Sequence, residues 1–129
     1  MKKTFLNPET IPKPDGGYSQ AVEIKGKIQH LYISGQIPEN TNGEIPLNFD
    51  AQCELVWNNI SEILKSGNMS LENIVKITTY LTNPNQAVRN GEIRRKFLGK
   101  LQPTLTVIVV HTLNPKWLLE IEAIAVAEE

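Results

Sequence analysis

The sequence has 129 residues, one cysteine and a formal net charge of -1; a chain of this length forms one domain and can bury a core without disulfides or a structural metal. Hydrophobic residues make up 40% and charged residues 21%, ordinary globular usage that excludes wholesale disorder. A lone cysteine excludes an intrachain disulfide and a zinc cluster and points to a reducing compartment, and the balanced charge excludes a global pull toward nucleic acid or acidic lipid.

At the N-terminus, Lys2 and Lys3 are followed by no long apolar run, and Pro8, Pro12 and Pro14 interrupt any export-signal core. The longest apolar stretch, residues 107–110, is too short to cross a bilayer. The expectation is a cytoplasmic protein with no membrane partner. Residues 7–17 read as a Pro/Gly-rich loop, and residues 19–24 and 27–37 as two strands joined in a hairpin at Lys25-Gly26. A second loop, 38–48, precedes a helix over 49–66, where Cys53, Val56, Ile60, Ile63 and Leu64 share one face and Gly67 supplies the stop. Residues 74–81 alternate and are β-branched, which predicts a strand. A weaker helix spans 87–98, with Ile93 and Phe97 four apart. Strands over 104–112 and 118–127 complete the chain, joined through 113–117.

This order predicts a single α/β (α+β) domain over 1–129, a mixed sheet with two helices that can cover only one face. The last two strands carry apolar residues on both faces: Leu105, Val107 and Val109 oppose Ile108 and Val110, and Leu119, Ile121 and Ala123 oppose Leu118, Ile124 and Val126. Neither face suits open water. The face away from the helices is therefore expected to pack on another subunit.

Several chemistries lack their residues. The only histidines, His30 and His111, sit in no nucleophile motif, and Cys53 lies on an apolar helix face as an inert thiol. Gly16-Gly17 is followed by a strand, which is the wrong geometry for a phosphate loop. No metal-ligand spacing appears. The basic run Arg89, Arg94, Arg95, Lys96 and Lys100 reads as a solvated helix face, with Glu92 interspersed and no aromatic interleaving, so nucleic acid is not an expected partner. Glu120 and Glu122 share a strand face with Leu118, Ile124 and Val126. Either a desolvated carboxylate there is poised to take a proton from water, or both are satisfied by interface hydrogen bonds and do no chemistry.

Tyr18-Ser19-Gln20-Ala21, Ser34-Gly35-Gln36-Ile37-Pro38, Asn73-Ile74-Val75-Lys76 and, above all, Leu119-Glu120-Ile121-Glu122-Ala123-Ile124-Ala125 resemble the RidA/YjgF family of reactive-intermediate deaminases, in order and over nearly the whole chain. The resemblance implies a chorismate-mutase-like domain assembled as a homotrimer with clefts between subunits. It further implies hydrolysis of enamines and imines to a carbonyl compound and ammonia, with no metal or organic cofactor. The partner would be a small imine, enamine or keto-acid-like ligand. Residue by residue, it makes Glu120 the catalytic carboxylate that positions water and Tyr18 a cleft residue; Ser34, Gly35 and Gln36 match its Ser-Gly-Gln segment, and Asn90 its helix asparagine.

The arginine that pairs with the substrate carboxylate is missing. Where the family reads Pro-Ala-Arg-Ser or Pro-Thr-Arg-Thr, this chain has Pro103-Thr104-Leu105-Thr106, so Leu105 and Thr106 flank the substrate instead. A leucine forms no bidentate pair with a carboxylate, and losing such a contact in a desolvated cleft costs about 2–5 kcal/mol. Three functions are consistent with the pattern: a deaminase shifted to an uncharged imine, a non-catalytic trimer that binds a small metabolite, and, last, the ribonuclease activity attached to some relatives, for which no acid and base aimed at a phosphate appear.

Overall fold

The computed structural model describes all residues from Met1 to Glu129. Six strands and two helices follow in the order β1 (Lys2–Leu6), β2 (Ala21–Lys25), β3 (Ile28–Gln36), α1 (Phe49–Ser66), β4 (Ile74–Leu81), α2 (Ala87–Leu98), β5 (Thr104–Val109) and β6 (Leu119–Glu128). The main sheet has the strand order β3-β6-β4-β5. In it β6 runs antiparallel to both β3 and β4, while β5 is parallel to β4. A parallel pair needs a long crossover, and α2 supplies it.

Period-two alternation divides the sheet into a covered and an uncovered face. Ile77, Thr79 and Leu81 of β4 and Leu119, Ile121, Ala123 and Ala125 of β6 point into the core, which they share with Cys53, Val56, Trp57, Ile60 and Leu64 of α1 and Ile93 and Leu98 of α2. This is the predicted two-helix, one-face arrangement. Asn48 caps α1, its carboxamide oxygen accepting from the Ala51 amide at 2.8 Å. On the opposite face stand Thr78 and Tyr80 of β4, Glu120, Glu122 and Ile124 of β6 and Ile108 of β5. Tyr32 is 72% exposed there and Ile108 44%.

The structure corrects the expected elements in four places. Lys2–Leu6 is a strand, antiparallel to β2, where the sequence showed only a short basic lead. Consequently the residues read as a hairpin do not pair with each other: β2 pairs with β1 and β3 with β6, the chain turning at Gly26 with φ +121°. The left-handed residue after α1 is Asn68, φ 57°, while Gly67 keeps a negative φ of -96°. Finally, β5 stops at Val109, because the Thr112 hydroxyl donates to the carbonyls of Asn114 and Trp117 and turns the chain back. Buried Gln52 clamps that turn, its carboxamide donating to Pro46 and Lys116 carbonyls and accepting from the Leu118 amide. It thereby fixes where β6 begins.

Candidate functional site

The acidic residues of β6 are positioned by an irregularity in β3. Ile33 pairs with Ala123 and Gln36 with Ile121, so Ser34 and Gly35 together oppose Glu122, a bulge of one extra residue. The Gln36 carboxamide donates to the Ser34 carbonyl at 2.9 Å across it. The bulge brings Gly35 against the Glu120 side chain: a Cβ at residue 35 would lie 2.8 Å from the Glu120 carboxyl carbon and 3.1 Å from its Cγ. Glycine leaves the Glu120 side chain its place there, by close approach and not by φ.

The two glutamates, equivalent by sequence, are not equivalent in space. Although Glu120 is the register partner of Tyr80, the Tyr80 hydroxyl donates to Glu122, the diagonal neighbour. That hydrogen bond pushes the Tyr80 phenol above its ordinary pKa. Glu120 has no hydrogen-bond or ion-pair partner. Burial, and then the Glu122 charge, push its carboxyl above the usual range. Glu120 borders a hollow of about 330 Å³ with Val110, His111, Thr112 and Leu113.

A second group assembles where the 7–20 loop meets α2. The Ser19 amide donates to the Pro103 carbonyl at 3.0 Å and its hydroxyl to the Gln102 carbonyl at 2.7 Å, pinning the loop to the start of β5. Tyr18 is thus placed beside Leu105. Tyr18, Asn90, Arg94, Arg95 and Leu105 line a cleft of about 550 Å³. Asn90 is 2% exposed, and its side chain makes no hydrogen bond. Arg94 is 5% exposed; its Nη2 donates to the Gly16 carbonyl at 2.9 Å, its Nε is buried without a partner, and it forms no ion pair. Burial and the neighbouring Arg95 charge lower its pKa.

The residues singled out from the sequence therefore form two sets. Tyr18, Asn90 and Leu105 lie together on the helix side of the sheet. Ser34, Gly35, Gln36 and Glu120 lie together around the bulge, and Thr106 faces the uncovered side, opposite Thr78. Leu105 packs against the core, and Glu120 stands on the other face. A sheet separates the two sets within one chain. A larger hollow, of about 610 Å³ between the C-terminal ends of the helices, holds no residue of either set and no buried polar side chain.

The basic run expected to be solvated is so at Arg89, Arg95, Lys96 and Lys100, but not at Arg94. Arg89 pairs with Asp50 and Glu92, and Lys96 with Glu54. Helical phase carried the missed signal, since Asn90, Arg94 and Leu98 fall four apart on the buried stripe. Cys53 is buried, with its thiol pushed up to about 12 chiefly by burial. No group of three or more His, Cys, Asp or Glu residues is placed to hold a metal ion, and no helix is long and apolar enough to cross a membrane.

The family model described as endoribonuclease L-PSP matches residues 8–127. A RutC family protein of Pyrococcus abyssi is 35% identical, over 99% of this chain and 100% of its own length. The putative reactive intermediate deaminase TdcF of Escherichia coli is 32% identical over 98% of both chains. Among solved structures, YyfB of Yersinia pestis, a protein of unknown function in the conserved Rid family, superposes with a TM-score of 0.81 at 32% identity, covering 97% of this chain and 98% of that one. Escherichia coli TdcF with bound serine superposes with a TM-score of 0.71 at 30% identity, covering 97% and 99%.

Proposed function

The chain belongs to the endoribonuclease L-PSP family, together with RutC and Rid proteins, and from that membership we propose that it is a reactive-intermediate deaminase, hydrolysing a small imine or enamine to a carbonyl compound and ammonia. The observation that carries this reading is the state of Glu120: an unpartnered, partly desolvated carboxylate beside a glycine that leaves it room, while its twin Glu122 is tied to Tyr80. In the imine reaction, Glu120 takes a proton from water as the water oxygen bonds to the imine carbon. Glu120 returns that proton to the nitrogen, giving a carbinolamine. The carbinolamine hydroxyl proton then passes through Glu120 to the nitrogen as the carbon–oxygen double bond forms and the carbon–nitrogen bond breaks, so that the nitrogen leaves as ammonia. An enamine joins the same path after protonation at carbon. The relative TdcF, crystallised with serine, supports a ligand of amino-acid size.

Tyr18, Ser34, Gly35, Gln36, Asn90, Leu105 and Thr106 complete the proposed site, and no metal or organic cofactor enters it. Because the two sets lie on opposite faces of one sheet, the reaction calls for the Glu120 set of one subunit to meet the Tyr18 set of the next. A homotrimer with clefts between subunits provides that meeting, and the exposed apolar residues Val107, Ile108 and Val109 on edge strand β5 are suited to burial in it. Specificity departs from the arginine-bearing pattern, since Leu105 leaves no cation on β5.

The test is turnover of imines generated in situ from amino acids. Glu120→Gln, which keeps size and polarity, is expected to lower the rate by about a hundred- to ten-thousandfold with assembly intact. Unchanged turnover removes Glu120 from the mechanism and with it this reading.

A further inference from the structure

Deepening the deaminase reading on which it rests, we propose that Arg94 is the anion-binding residue of this cleft, receiving the substrate carboxylate from helix α2 in place of the cation absent from β5.

Three observations converge on it. The guanidinium is almost wholly buried, yet its one hydrogen bond is to the Gly16 carbonyl and its Nε is buried with no acceptor. An arginine offers five donors in a fork, so a single carbonyl leaves most of that capacity unused. Second, no carboxylate neutralises it. Arg89 and Lys96 on the same helix each hold an acidic partner, and Asp15, which also lines the cleft, pairs with neither Arg94 nor Arg95. Burying a cation without a counter-charge is costly, and a ligand anion supplies the missing charge. Third, Asn90 lies one helical turn earlier, 2% exposed and without a side-chain hydrogen bond, so an amide that can donate or accept borders the same cleft. Exposed Arg95, which also lines the cleft, adds positive potential at the mouth.

Leu105 then has a positive role. An arginine at that position would set a third cation into the cleft beside Arg94 and Arg95, whereas leucine gives the ligand an apolar wall. The neutral imine expected from Leu105 alone gives way to an anionic one bound from another element.

The experiment is calorimetric titration of the full-length protein with pyruvate and with its uncharged amide, pyruvamide. The wild type is expected to bind pyruvate about ten- to a hundredfold more tightly than pyruvamide, the range of a charge-assisted contact. Arg94→Met is expected to lose that factor for pyruvate while leaving pyruvamide unchanged, and Arg94→Lys to keep part of it. A role confined to holding the Gly16 loop would weaken both ligands alike. Equal affinity of the wild type for the two ligands, no binding of pyruvate, or unaltered pyruvate binding by Arg94→Met overturns the proposal. If Arg94→Met does not fold, the wild-type ratio and Arg94→Lys decide. Imine turnover without charge discrimination removes Arg94 and leaves the deaminase reading standing. Discrimination through Arg94 without turnover removes the deaminase and keeps the anion site.

Discussion

The two faces of the sheet carry two different local anomalies, which the proposed function assigns to the two halves of one chemistry. On the helix side, the cleft of Tyr18, Asn90, Arg94 and Leu105 holds a buried cation without an ion-pair partner. On the uncovered side, the bulge of Ser34 and Gly35 holds an unpartnered acid. Each half is incomplete where a single chain leaves it, and each retains a group that folding alone would have paired or neutralised. Side-chain alternation makes the separation unavoidable, because residues on opposite faces of a strand cannot converge. The difference teaches that the candidate residues are legible as two local anomalies rather than one cluster, and the proposed trimer is the step that would join them.

The strongest way to break that comparison is to disable the halves on different chains. Glu120→Gln and Asn90→Leu are each expected to be nearly inactive alone. Unfolded together and reassembled, random assortment in a cyclic trimer leaves about a quarter of the clefts with both halves intact. Turnover should recover toward that fraction. Light scattering on the same sample should give three times the mass of the 14.5 kDa chain. Mixed trimers with no recovered activity would mean that both halves act within one chain, and a stable monomer would remove the shared cleft.

A smaller effect sharpens the acidic half alone. Gly35→Ala introduces a methyl that meets the carboxyl end of Glu120, and the movable partner is the flexible side chain rather than the backbone. Stability should change by less than about 1 kcal/mol, while displacement of the carboxylate lowers turnover about ten- to a hundredfold. Full activity in a folded Gly35→Ala protein would show that the placement of Glu120 against the bulge does not matter.

Much of this arrangement was written in local pattern. Helices α1 and α2, strand β4 and the apolar alternation of β6 follow from periodicity, and the prediction that two helices cover one face follows from their number. What escaped depends on partners distant in sequence. Strand β1 has five residues and pairs Lys2 with Lys25, so no local alternation announces it, and its presence displaces β3 as the partner of β2. Glu120 and Glu122 have the same local context; what separates them is a diagonal reach by Tyr80, 42 residues from Glu122. Arg94 was hidden differently. Its helical phase puts it on the buried stripe, but a charged residue among other charges is assigned to solvent by type, and only the packing of the 7–20 loop over α2 reveals it as buried. The groups that residue type misassigned or left undecided are those that carry the proposed chemistry.

The smallest expected effect separates function from stability at Glu120. Burial and the Glu122 charge raise its carboxyl pKa in the folded chain. The folded state therefore holds this proton more tightly than the unfolded chain does, and stability from the group is present at acid pH and is lost as pH rises through the raised folded value. Above that value the ionised carboxylate is a net cost, which Glu120→Gln removes. At neutral pH the variant should melt at the same temperature as the wild type or up to about 3 °C higher, with the gap closing as the pH falls. Turnover runs the other way: in the proposed mechanism Glu120 acts as a base only when ionised, so wild-type activity should fall as the solution is acidified through the same raised value, earlier than an ordinary glutamate would dictate. Thermal unfolding of both proteins from about pH 4 to about pH 8, beside the wild-type rate profile, checks the two signs together. A Glu120→Gln protein that melts well below the wild type at neutral pH would mean that the carboxylate holds the fold together, and the contrast between a tied Glu122 and a free Glu120 would be lost.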